Sequence, residues 1–106
     1  MKATMMTIAA AGALMLAAQA NAADPAEALA QKSGCLACHS VSQKVLGPAY
    51  KDIAAKYKGD KSAEAKLIDK VKKGGSGVWG PIPMPANSPQ VKDEDIKTIV
   101  QWILKM

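Results

Sequence analysis

A run of five residues, from Cys35 to His39, carries the chemistry that this chain can be expected to perform. Cys35 and Cys38 are separated by two residues, and His39 follows directly. Two thiols at this spacing can add across the two vinyl groups of one porphyrin, and the adjacent imidazole can then ligate its iron. The pattern therefore predicts one covalently attached c-type haem, with His39, the only histidine, as an axial ligand of the iron.

A second axial ligand has to come from elsewhere in the chain. Met106 is the last residue, where fraying disfavours a ligand, whereas Met84 lies between Pro83 and Pro85, 45 positions after His39. Prolines on both sides fix the backbone and leave little entropy to lose on binding. An isolated methionine is often only a packing residue, but this setting favours Met84 as a sulfur ligand. A neutral thioether stabilises Fe(II), which predicts an electron carrier with a positive reduction potential.

The first 22 residues have the organisation of a signal peptide. Lys2 precedes an uncharged stretch from Met5 to Ala18, and Ala20-Asn21-Ala22 offers a cleavage site. That stretch of about 14 residues is shorter than the roughly 20 that a membrane-spanning helix needs. Residues 1–22 are therefore predicted to be removed on export, without stable membrane insertion, and residues 23–106 to form one small domain.

The positive charge of the chain comes entirely from lysine. All 14 cations are Lys, against nine acidic residues, and loss of Lys2 with the leader lowers the net charge from +5 to +4. Nucleic-acid sites favour the bidentate fork of arginine, which is absent, so no nucleic-acid partner is expected. A moderate positive charge suits a solvated surface and the steering of an acidic protein partner.

Residues that start and stop helices recur along the mature chain. They predict an all-α fold of about four short helices wrapped around one covalent haem. With no Phe in the chain, a large apolar cofactor would supply much of the core. Four prolines and four glycines between residues 74 and 90 predict loop throughout, since no stretch alternates long enough to indicate a strand. The helices are predicted from Pro25 to about Ser33, Tyr50 to about Tyr57, Ala63 to Lys73 and Asp93 to about Lys105.

Three stretches combine these features with the last helix around Trp102: Gly34–His39, Val45–Ala54 and Gly77–Pro85. In this combination the mature chain resembles the small class I bacterial cytochromes c of the c-551/c-552 type. The resemblance implies the class I cytochrome c fold, one haem c with its iron, and a monomeric periplasmic electron carrier that is not an enzyme. It also implies that His39 and Met84 are the two axial ligands.

The same resemblance implies roles for four residues around the haem. The carbonyl of Pro48 would accept a hydrogen bond from His39, which sets the tautomer and basicity of the imidazole. Asn87 would donate near the Met84 sulfur, and the indole N–H of Trp79 would reach a haem propionate. Lys70 stands where relatives often carry an arginine on a propionate, and keeps the charge without the bidentate fork.

Partners are implied by the resemblance as well. Electrons would come from a quinol-oxidising complex or a copper protein, and pass to nitrite reductase, a terminal oxidase or a peroxidase. Lys32, Lys44 and Lys51 are candidate rim charges for such docking. The exposed haem edge is expected to be lined by Leu36, Ala37, Val45, Leu46, Pro83, Pro85 and Ala86.

Two other classes of function fit parts of the pattern. An enzyme or gas sensor would need an open iron site, with Met84 away from the metal. A haem-free module could use the two cysteines and His39 for zinc or thiol exchange. Zinc usually takes four protein ligands, however, and no further Cys or His exists in the chain. A thioredoxin-like protein would need βαβ structure, which the sequence does not predict.

Overall fold

A computed structural model describes residues 24–106, so the predicted signal peptide lies outside the described residues. The helices are α1 (Pro25–Lys32), α2 (Tyr50–Lys56), α3 (Ala63–Lys73) and α4 (Asp93–Leu104). A 3₁₀ turn covers Cys35–Ala37, and two short strands, β1 (Gly75–Gly77) and β2 (Gly80–Met84), lie between α3 and α4. The predicted helical class and the four helices are confirmed, with bounds within one residue of those predicted from the sequence.

Helix α1 begins at an N-cap and is followed closely by the segment that contains the two cysteines. The Asp24 carboxylate accepts a hydrogen bond from the Ala26 amide at 2.8 Å, and Pro25 occupies the first helical position. Both features stabilise a helix N-terminus, because the first amides have no partner within the helix. The helix ends at Lys32 with Ser33 as its C-cap, and Gly34 then turns the chain directly into the 3₁₀ turn.

Helix α4 is the centre of the helical packing. The other three helices each make their main helix–helix contacts with α4. Its inner face is apolar at helical spacing, so burial of that face stabilises all the contacts together. The buried residues of this face are Ile96, Ile99, Val100 and Ile103.

Polar contacts also tie α3 to α4. The Gln101 amide donates to the Glu64 carboxylate at 2.9 Å, and the Lys72 ammonium lies 3.1 Å from a carboxylate oxygen of Asp93.

Within residues 24–106, no helix is long and apolar enough to cross a membrane.

The prediction of loop throughout residues 74–90 is wrong, because β1 and β2 form an antiparallel hairpin. Gly75 pairs with Met84 and Gly77 with Gly80, with an irregularity between the two pairs. In this two-stranded sheet β2 pairs with β1 on one edge only, so the strand can tolerate Pro81 and Pro83, which lack an N–H group. Glycine and proline were interpreted as breakers, whereas here they occupy edge positions that tolerate them.

Candidate haem-binding site

The two halves of the chain meet at one apolar cavity. The cavity has a volume of about 200 Å³ and is lined by Cys35, Cys38 and His39 from the first half and by Met84 from the second. Met106 does not line this cavity and is 40% exposed at the chain end. The four residues predicted from their types and spacing therefore lie around a common space.

The 3₁₀ turn places both cysteines on the wall of the cavity. The carbonyl of Cys35 accepts hydrogen bonds from the amides of Cys38, at 3.2 Å, and His39, at 3.0 Å. The tight turn brings the two thiols and the imidazole to the same side of the chain. Both thiols are half-buried and free of disulfide bonds, and burial raises the pKa of Cys35, so its sulfur is neutral.

The His39 ring is held by a backbone carbonyl. Its Nδ1 lies 2.8 Å from the carbonyl oxygen of Pro48, as expected from the sequence resemblance. A carbonyl oxygen can only accept, so Nδ1 is the donor of this bond. The bond selects the tautomer in which Nε2 is the nitrogen left to act as a metal ligand.

Two further residues fix the position of that ring, and the sequence analysis did not assign either role. A Cβ at Gly47 would lie 2.5 Å from His39 Cε1 and 2.8 Å from Nδ1, so only glycine allows this approach. Tyr50 stacks on the His39 ring at a centroid distance of 5.1 Å and an interplanar angle of 23°. Gly47 and Tyr50 flank the Pro48 carbonyl in the sequence, which is the only signal that could have indicated their roles.

Tyr50 is itself fixed by its surroundings. It is 2% exposed and makes an edge-to-face contact with Trp102 of α4, at a centroid distance of 5.6 Å. Burial raises the pKa of Tyr50, and the neighbouring Cys35 adds to this effect, so the phenol is neutral. The ring that stacks on His39 is thus anchored to the centre of the helical packing.

Met84 ends β2 and is half-buried against the cavity. The Asn87 side chain was expected to donate near its sulfur. The structure instead places Asn87 Nδ2 at 3.2 Å from the carbonyl oxygens of both Val71 and Pro85. These two bonds use both N–H groups of the Asn87 side chain, so donation to the Met84 sulfur would require one of the two bonds to break. Donation from Asn87 to this sulfur stays a prediction.

Trp79 and Lys70 both line the cavity, at the positions expected to meet haem propionates. The Lys56 ammonium lies over the Trp79 ring at 5.6 Å and over the Tyr57 ring at 5.9 Å. Lys66 also lines the cavity and pairs with Asp60 at 3.5 Å. Lys56 therefore lies over Trp79, and Lys66 and Lys70 line the same cavity as Trp79. Contact of Trp79 or Lys70 with a propionate stays a prediction.

The residues of the cavity suit a covalently held haem. The donor set combines two thiols, an imidazole whose Nδ1 is already bonded to a carbonyl, and a thioether, which are the groups that attach and ligate a c-type haem. The remaining lining is mainly apolar, as a porphyrin face requires, and includes Ile53, Leu67, Val71, Ile99 and Ile103. The close approach of Gly47 and the Pro48 carbonyl position the imidazole at the edge of this lining.

Comparisons with known proteins agree with this chemistry. A family model described as cytochrome c matches residues 23–106. Over 107 residues the chain is 50% identical to cytochrome c-552 of Nitrosomonas europaea, with 100% of this chain and 99% of the relative covered. The chain belongs to the cytochrome c family.

Other members extend the comparison to structure. Cytochrome c-551 of Pseudomonas aeruginosa is 50% identical over 90 residues, covering 85% of this chain and 84% of the relative. The crystal structure of cytochrome c552 from N. europaea superimposes with a TM-score of 0.70 at 54% identity, covering 74% of this chain and 95% of that one. These relatives confirm the predicted class I cytochrome c fold.

Membership of this family decides the class of function. The chain is an electron carrier with one covalently attached haem c and its iron, and it is not an enzyme. Among residues 24–106, no group of three or more His, Cys, Asp and Glu side chains is arranged to hold a bare metal ion. The family assignment sets aside the zinc and thiol-exchange hypotheses, since a cytochrome c uses its cysteines for haem.

Proposed function

We propose that Cys35 and Cys38 form the thioether bonds to haem, and that His39 Nε2 and the Met84 sulfur are the two axial ligands of its iron. The observation that carries the proposal is the meeting of all four side chains at one cavity. The Pro48 carbonyl supports it further, because it commits His39 Nδ1 and leaves Nε2 for the metal.

The haem supplies reversible one-electron chemistry by cycling its iron between Fe(II) and Fe(III). The protein holds the ligands so that neither has to move. Ile99 and Ile103 contribute to the apolar lining of the cavity, and the neutral Met84 thioether favours Fe(II) over Fe(III). Together these features favour a positive reduction potential and fast electron transfer.

Propionate binding belongs to the same proposal. The Trp79 indole N–H and the Lys70 ammonium would meet the haem propionates, since both side chains line the cavity. A lysine at position 70 supplies charge without the bidentate fork of the arginine found in many relatives. Trp79 and Lys70 are therefore proposed to mark the polar end of the haem site.

The partners are proposed to be redox proteins that dock at an apolar edge ringed by lysine. Val45 and Leu46 are 51% and 56% exposed beside the cavity, and Lys44 precedes them in the chain. Brief docking suits such a surface, since charge steers the partner and a small apolar contact releases it. The proposed donor is a quinol-oxidising complex or a copper protein, and the acceptor is nitrite reductase, a terminal oxidase or a peroxidase.

The proposed compartment is the periplasm, where the chain would act as a monomer after removal of residues 1–22. A leader with an A-x-A cleavage site supports export. The family model starts to match at residue 23, the first residue of the predicted mature chain.

Replacement of Met84 by Ala tests the ligand set. We expect loss of the Fe(III)–sulfur absorption band and a fall in reduction potential on the order of 100 mV, since axial ligand identity shifts haem potentials over about 0.8 V. Visible spectra and potentiometry of the haem-loaded protein measure both effects.

Met106→Ala is the matched control, because it removes the other methionine of the mature chain. The band and the potential should stay unchanged in this variant. A Met84→Ala protein with a normal sulfur band would exclude Met84 as the ligand. Carbon monoxide binding to the reduced wild type would instead favour an open iron site.

A further inference from the structure

The C-terminal end of α3 carries the segment that follows Met84. The Val71 carbonyl accepts hydrogen bonds from the Asn87 amide at 3.1 Å and from its side-chain Nδ2 at 3.2 Å. The Lys72 carbonyl accepts one from the Ser88 amide at 3.2 Å. The last carbonyls of a helix have no partner within it, so this segment satisfies α3 and is itself held by α3.

Gly74 brings the same segment into direct contact with the helix end. Its φ of 72° and ψ of −159° lie in a region that is essentially restricted to glycine. A Cβ at this position would collide with the Met84 carbonyl oxygen, and would lie 2.8 Å from the Ala86 amide nitrogen and 2.9 Å from the Pro85 carbonyl carbon. The backbone of Met84 and its two successors therefore packs where a side chain of residue 74 would otherwise project.

The backbone of Met84 is consequently fixed on both sides. Gly75, the residue after Gly74, pairs with Met84 across the hairpin, and Asn87 and Ser88 bind α3 three and four residues later. Large movement of Met84 away from the cavity has to break one of these attachments. The seat of the methionine segment is thus formed by residues 71–75, far from the cysteine motif in the sequence.

We infer that Gly74 is a positioning residue for Met84, and that the end of α3 sets the rate at which Met84 can leave the iron. The inference rests on the proposed ligation by Met84. Asn87 then acts through its bond to the Val71 carbonyl, as part of the seat. Substitution at Gly74 lifts the Met84–Ala86 backbone and loosens the ligand without touching the haem.

The experiment compares Gly74→Ala with Gly59→Ala in haem-loaded ferric protein. Gly59 has a φ of 79°, and a Cβ there meets nothing within 4 Å, so its variant has a positive-φ alanine but no collision. Imidazole is added as a competing ligand, and loss of the Fe(III)–sulfur band gives the rate of Met84 release. We expect Gly74→Ala to release Met84 about tenfold faster or more, and Gly59→Ala to stay within about twofold of the wild type.

Loss of global stability has to be separated from loosening of the seat. Wild-type protein in urea, at a concentration that lowers its free energy of unfolding to that of Gly74→Ala, provides this control. Faster release in Gly74→Ala than in this destabilised wild type supports the inference. Equal rates in the two samples, or equal acceleration in Gly59→Ala, overturn it.

The proposed ligation by Met84 and the inferred positioning role of Gly74 would be refuted by different results. Absence of the sulfur band from the wild type would refute ligation by Met84, whatever the variants do. Should Gly74→Ala not yield haem-loaded protein, Asn87→Ala removes the side-chain bonds to the Val71 and Pro85 carbonyls and keeps the backbone bond from the residue 87 amide to Val71. Its release of Met84 should be several-fold faster, and a wild-type rate overturns the inference.

Discussion

His39 is held from three directions by the polypeptide alone. The Pro48 carbonyl binds its Nδ1, the α-carbon of Gly47 lies against its edge, and Tyr50 stacks on its face. Each contact has a different effect on the ring. The Pro48 bond selects its tautomer, the Gly47 approach limits its displacement, and the Tyr50 stack limits its rotation. These three contacts from the fold therefore orient the proposed ligand.

Replacement of Tyr50 by Leu should let the His39 ring rotate. The stacked face is lost, and a buried aromatic group that contacts Trp102 is removed, so we expect a loss of about 2 kcal/mol or more in the free energy of unfolding. The pattern of haem methyl shifts in the NMR spectrum of the ferric protein should also change, because it follows the orientation of the axial imidazole plane.

Tyr50→Phe keeps the ring and removes only the hydroxyl group. It should preserve the methyl shift pattern and lower stability by about 1 kcal/mol or less. An identical shift pattern in Tyr50→Leu and the wild type would mean that Pro48 and Gly47 suffice to orient His39.

The residues with distinctive chemistry could be predicted from the sequence, and those that act by packing could not. Cys35, Cys38 and His39 were indicated by type and spacing, because few other residues can attach and ligate a haem. Tyr50 has the helical spacing of an ordinary core residue, and its stack on His39 exists only once the chain has turned at Pro48. Asn87 was predicted from resemblance, and its bonds to α3 follow from where that helix ends.

At the scale of elements, α1 depends on its N-terminal cap. Asp24→Ala removes the carboxylate that accepts from the Ala26 amide, and should lower the free energy of unfolding by about 1 kcal/mol. Asp24→Asn is the matched control, since asparagine caps as well as aspartate and removes the charge. Denaturant unfolding of the three proteins measures the effect; equal losses in both variants would assign it to charge and contradict a role of the cap.

Helix bounds could be predicted closely because capping residues and glycines mark them. Pro25 and Gly34 enclose α1, and Gly74 ends α3 one residue after the predicted last turn. The hairpin was missed because Pro81 and Pro83 normally oppose strand formation. The hairpin becomes evident only from the pairing of β2 with the glycine-rich β1, in a two-stranded sheet in which each strand has one free edge.

On the scale of the whole molecule, the position of each lysine matters more than the net charge. Lys44 is exposed next to Val45 and Leu46, the apolar residues proposed for docking. Lys44→Glu should slow reduction of an acidic redox partner several-fold at low ionic strength. The effect should fade as salt rises, because the Debye length is about 10 Å at 0.1 M salt.

Lys97→Glu provides the control for Lys44→Glu. Lys97 is exposed on α4 and does not line the haem cavity, so its reversal makes the same change in net charge at a different place. Stopped-flow reduction rates at several salt concentrations compare the variants. Equal slowing by both would assign the effect to total charge and contradict a lysine rim around the docking edge.

The central place of α4 bears on when this polypeptide can fold. Because α1, α2 and α3 each find their main helical partner in α4, the native core cannot close before α4 is available. A chain whose α4 is still in the ribosome lacks the helix against which the three earlier helices pack. Such a topology delays folding, and in the exported precursor that we propose it would keep the chain unfolded during translocation.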